Sequence, residues 1–134
     1  MVTWVEIQYQ GKVIKFLSPR TYWYYCCGNK HDVSMYIKYV ICKLIKHVLI
    51  NSIPSPAEIV LTLDRILDRR TRRNSILYDI MLIIHTLFKS KRLYNGMGIP
   101  NVRHVIQIIK SLRKEIEKDG LNTVLDRYLR YENH

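Results

Sequence analysis

The hydrophobic period of this chain changes once, near residue 33, and that change limits the folds open to it. From Thr3 to Leu17 two short runs of β-branched and aromatic residues flank Gln10-Gly11. Alternation sends successive side chains to opposite faces of a strand, and a glycine at the junction supplies the positive φ of a tight turn. The pattern predicts a β-hairpin over residues 1–17, with Val5, Ile7 and Tyr9 facing inward and Trp4, Glu6 and Gln8 outward. A hairpin alone buries too little surface to persist, so it has to pack on helices.

From Val33 onward apolar residues recur at three and four. Val33, Tyr36, Ile37, Val40, Ile41, Leu44 and Val48 predict a long helix capped by Asp32, and Ser18-Pro19 starts one or two helical turns ahead of it. In Ser55-Pro56-Ala57-Glu58 the serine, the proline at N1 and the returning glutamate form a capping box, so a second helix begins there. It carries Ile59, Val60, Leu63, Ile66 and Leu67 inward and ends in the run Arg69 to Arg73. Asn74-Ser75 caps a third helix, apolar around most of its circumference from Ile76 to Phe88. It reads as the central, buried helix, with His85 as a hydrogen-bonded core histidine.

Pro100 begins a fourth helix with the stripe Val102, Val105, Ile106, Ile109, Leu112 and Ile116, closing at Asp119-Gly120. A fifth spans Asn122 to Tyr131 and presents Val124, Leu125, Tyr128 and Leu129. At 134 residues the chain has the length of one domain. The expectation is a mainly α single domain over 1–134, a bundle of about five helices in 33–131 with the hairpin at its N-terminus.

Charge sets the class of partner. Lys and Arg total 22 against 11 Asp and Glu, a net charge of +11 with histidines neutral, which points to a polyanion. With 48% hydrophobic residues the chain is too apolar to stay disordered. Its most apolar stretch, Val33 to Ile50, is broken by Lys38, Lys43, Lys46 and His47, so no membrane span is expected. No secretory signal is read in the first residues, so the expectation is a protein inside a cell, in cytoplasm or nucleus. Ala57 is the sole alanine among many isoleucines, tyrosines and lysines, the bias of an AT-rich genome such as many viruses carry.

Three groups of cations are candidate phosphate contacts. Arg65, Arg69, Arg70, Arg72 and Arg73 crowd the junction after the second helix, and Lys89, Lys91 and Arg92 follow the third. Guanidinium forks match phosphate oxygens, and each neutralised phosphate releases counterions. On the fourth helix Arg103, Gln107, Lys110 and Lys114 form one stripe opposite the apolar face, with Arg113 nearby. Glu115 and Glu117 on the same helix are the acids able to neutralise it. The aromatic run Tyr22, Trp23, Tyr24 and Tyr25, flanked by Arg20 and Lys30, offers rings for stacking on unpaired bases or for a subunit interface. Four consecutive rings cannot all face inward, so one or two should be exposed.

Cys26, Cys27, His31 and Cys42 have the residue types of a zinc site but not its spacing, and an odd cysteine count excludes full pairing. No metal and no cofactor is expected. Paired carboxylates, a nucleophile with a base and a glycine-rich phosphate loop are all missing from the pattern, so the chain reads as a non-enzyme.

Two resemblances open other classes. Arg127 and His134, with six residues between them, resemble the arginine–histidine motif of the helical HEPN ribonucleases, which implies a ribonuclease. Ser55-Pro56, Leu63-Asp64-Arg65 and the later helices resemble a single cyclin box over residues 37–131, which implies an adaptor that binds another protein. The leading expectation is a small basic protein that binds DNA or RNA through its phosphate backbone, as in a viral or other nucleoprotein. A protein-binding or self-assembling module comes second and a ribonuclease third.

Overall fold

The computed structural model describes residues 2–49, 63, 75–89 and 100–133. Strand β1, Trp4–Tyr9, pairs antiparallel with β2, Lys12–Leu17, and the register runs from Tyr9 opposite Lys12 to Trp4 opposite Leu17. Gln10 and Gly11, at φ 50° and 76°, form the two-residue turn. Positive φ at both central positions matches the right-handed twist of the strands. Val5, Ile7 and Tyr9 pack half-buried against the core, while Trp4, Glu6 and Gln8 are exposed. Ile14, Phe16 and Leu17 are fully buried.

Helix α1, Pro19–Cys27, starts where the Ser18 hydroxyl accepts from the Thr21 amide and Pro19 occupies N1. Gly28, in the left-handed region at φ 54°, ends it. Helix α2, Val33–Leu44, is capped by Asp32, whose carboxylate accepts from the Met35 amide, and continues as a wider π turn through Ile45–Leu49. Helix α3 is Ser75–Lys89, α4 is Val102–Asp119 and α5 is Leu121–Leu129, followed by a 3₁₀ turn at Arg130–Glu132. The mainly α architecture with an N-terminal hairpin agrees with the sequence reading. Pro100 lies two residues ahead of α4, and its cap is Asn101, which accepts from the His104 amide. Leu63 is helical and buried, as expected, while the remainder of the helix read after Ser55 lies outside the described residues.

The choice of central helix is corrected. The central element is α2, not α3. Every residue of α2 from Tyr39 to Leu44 is buried, together with Tyr36 and Ile37, and it packs on α4, α5, α1 and α3. Helix α3 buries Ile80, Ile83, Ile84, Leu87 and Phe88 but leaves Tyr78 65% and Leu82 50% exposed. His85 follows them at the same spacing and is therefore exposed, not a core residue. Apolar composition misled here because a helix needs only one face in the core.

The hairpin is fastened to α2 through tyrosines. The Tyr36 hydroxyl donates to the Leu17 carbonyl at 2.7 Å, and the Tyr39 hydroxyl accepts from the Leu17 amide at 2.7 Å. Tyr39 in turn donates to Glu132, which also receives the Lys43 ammonium at 2.7 Å. Burial pushes the Tyr36 and Tyr39 hydroxyls up in pKa, the Glu132 carboxylate adds to this, and both stay protonated donors. Tyr22 stacks on Tyr39 with ring centroids 4.4 Å apart. Cys26 and Cys27 are disulfide-bonded to each other, and Cys42 is a buried thiol in α2. A bond between neighbours closes no chain loop, so it is not a disulfide framework. Among the described residues no helix is long and apolar enough to cross a membrane, and no group of three His, Cys, Asp or Glu side chains is placed to hold a metal.

Candidate nucleic-acid interface

Helix α4 separates its two faces cleanly. Val105, Ile106, Ile108, Ile109, Leu112 and Ile116 are buried, whereas Arg103, Gln107, Lys110 and Lys114 are all exposed on the opposite side. Lys118, one turn beyond Lys114, lengthens that stripe. Sequence reasoning omitted Lys118 although the same spacing reaches it, and it missed the burial of Ile108. Among the described residues none of these five polar side chains makes an ion pair.

The acids of the same helix are engaged elsewhere. Glu115 turns toward α2 and α5: it accepts from Tyr128 at 2.7 Å and from Arg127 at 2.7 Å, and pairs with Lys38 at 2.9 Å. Desolvation acts to raise its pKa, but hydrogen bonds from Tyr128, Lys38 and Arg127 and the Lys38 charge outweigh it and hold the carboxyl below the usual range. Asp119 accepts from Arg127 at 2.9 Å. Glu117 pairs with Arg113 at 3.2 Å. Arg113, read as a phosphate contact, is thus half-buried on the flank of the helix and held by its own acid. It does not belong to the open stripe.

Of the other candidates, Lys89 is exposed in the last turn of α3. Arg65, Arg69, Arg70, Arg72, Arg73, Lys91 and Arg92 lie outside the described residues. So does His134 of the arginine–histidine pair, and its Arg127 is occupied by Glu115 and Asp119.

The aromatic run divides in two. Tyr22 and Trp23, 0% and 1% exposed, belong to the core and are withdrawn as stacking or interface residues. The capping of α1 by Ser18 sets the helical phase that turns both inward. Tyr22 donates to the Tyr128 carbonyl at 3.1 Å, and Trp23 donates through Nε1 to the Asp32 carbonyl at 2.7 Å. Tyr24, 61% exposed, meets the half-buried Tyr25 edge to face at 5.3 Å, so one ring is exposed and a second partly so, within the one or two expected.

Those two rings line an open cleft of about 720 Å³ together with Thr3, Ser18, Arg20, Thr21, Asn29 and His31. Its lining is hydrogen-bonded across the hairpin and α1: Ser18 donates to the Thr21 hydroxyl at 2.9 Å, and the Thr3 amide donates to the same oxygen at 3.1 Å. The exposed His31 ring stacks on Trp23 at 4.7 Å. Among the described residues no carboxylate lines the cleft, and Arg20 is exposed and makes no ion pair. Thr3, Asn29 and His31 were not foreseen as neighbours of Tyr24, because the hairpin and the turn after α1 reach it only in three dimensions. No known protein family, characterised protein or solved structure matches the chain.

Proposed function

We propose that this protein binds nucleic acid through the phosphate backbone, with the outer face of α4 as a principal contact. The observation that supports the reading is the open stripe Arg103, Gln107, Lys110, Lys114 and Lys118, whose potential neutralising acids are drawn into ion pairs elsewhere. An excess of cations alone is compatible with a solvated surface. Cations left without acids on one helix face form instead a row of phosphate sites at helical spacing. Lysine and arginine there neutralise charge without reading sequence, and Gln107 adds a donor and acceptor between them.

The test is the dependence of affinity on salt. Each phosphate contact contributes a slope of roughly −0.9 in log affinity against log salt on duplex DNA. Replacing Lys110 and Lys114 together by alanine is expected to flatten that slope by about two while the fold is retained. Alanine at Arg69, Arg70, Arg72 and Arg73 measures the share of the sequence-derived junction by the same readout. A flat response in the unaltered protein would overturn the proposal and return the chain to the partner-docking reading.

A further inference from the structure

We propose that the cleft beside α1 accepts one unpaired nucleotide of a single strand, its base on the Tyr24 ring and its phosphate on Arg20. This deepens the nucleic-acid reading and rests on it. The volume, about 720 Å³, falls inside the range of roughly 300–1,000 Å³ usual for small-ligand sites. Its chemistry selects among ligands of that size. Among the described residues its lining presents the rings of Tyr24, Tyr25 and His31 and the Arg20 cation and no acid, so a flat anionic ligand is complementary.

Each of the rings rests against another ring. Tyr25 braces Tyr24 at an interplanar angle of 77°, and His31 is stacked on the buried Trp23 at 23°. A base entering the cleft therefore meets surfaces that lose little freedom on contact. Asn29, at φ 69° in the turn after Gly28, places an amide on the rim, a group able both to donate to and to accept from a base edge. A paired base buries its faces within the duplex stack, so the cleft distinguishes single strands from duplex.

The experiment uses the full chain and fluorescence anisotropy with labelled oligonucleotides: a twelve-nucleotide oligo(dT), an abasic strand of equal length and a duplex. Oligo(dT) is expected to bind about tenfold tighter than the abasic strand, the size of one base–aromatic stack. Tyr24→Ala should bring oligo(dT) down to the abasic level and leave abasic binding and the melting temperature unchanged, since the ring is mostly exposed. Tyr24→Phe should retain the difference. Lys110→Ala with Lys114→Ala should weaken both strands by the same factor. Equal affinity of the unaltered protein for the two strands, or an equal loss on both with Tyr24→Ala, overturns the stacking site while the backbone reading stands. Failure to bind any of the three oligonucleotides overturns both.

Discussion

At the scale of single residues, Glu115 decides how much of the positive charge stays available. Its carboxylate is 23% exposed and satisfies Lys38, Arg127 and Tyr128 at once, which takes it off the outer face of α4. Removing a hydrogen-bonded charge from such a site leaves cations without a counter-ion. Glu115→Gln is expected to lower stability by about 2 kcal/mol at neutral pH, a figure typical of charge-assisted hydrogen bonds. Because the folded-state pKa lies below that of the unfolded chain, this contribution is complete above the ordinary carboxylate pKa of 4.5 and is lost as pH falls through the folded value. Urea melts of both proteins should therefore differ at pH 7 and converge as the pH falls below the ordinary carboxylate range. A gap that persists undiminished in acid would refute this account. Sequence inspection saw Glu115 as a neutraliser of its own helix, since the partners that claim it are 77 positions before it, at Lys38, or on the next helix.

At the scale of elements, caps and turns were legible because they depend on a few adjacent residues. Ser18 and Asp32 each accept from an amide three positions on, the geometry that these side chains favour at a helix start, and Asn101 does the same for α4, where the sequence reading had started the helix at Pro100. The hairpin turn is equally local. Gly11 sits at φ 76° with open space where a Cβ would stand, so the penalty of Gly11→Ala comes from the backbone alone. A loss of about 1 kcal/mol is expected, read as a lower melting temperature, whereas Gln10→Asn, better suited to its φ of 50°, should raise it slightly. No change at Gly11 would mean that the turn relaxes to another type. Both faces of α4 followed from the period of 3.6, Ile108 and Lys118 being present in the pattern but overlooked. The burial of α2 in preference to α3 was not legible, because both are rich in apolar residues and only packing chooses which is surrounded.

At the scale of the whole molecule, the chain's two ends are joined through α2. Lys43, 7% exposed, and Glu132 form an ion pair inside the fold, with Tyr39 linking the same carboxylate to the Leu17 amide at the end of the hairpin. Breaking one partner of a buried pair strands the other, at about 3 kcal/mol. Glu132→Ala is expected to lower the melting temperature by on the order of 10 °C, and Lys43→Met with Glu132→Leu to recover much of it. A melting temperature unmoved by Glu132→Ala would show that this clamp contributes nothing.

The chain's own order of residues determined where most of the described helices and strands begin, which face of α4 is wet, that four consecutive aromatics cannot all turn inward, and that cations outnumber acids. Each rests on hydrogen bonds and periodicities that act within a turn or two. Tertiary structure decided which acids are spent on which cations, which helix is enclosed, and that Thr3 and His31 stand beside Tyr24. Those outcomes depend on contacts between segments far apart in the chain, where burial and charge choose among partners that local pattern treats as equal.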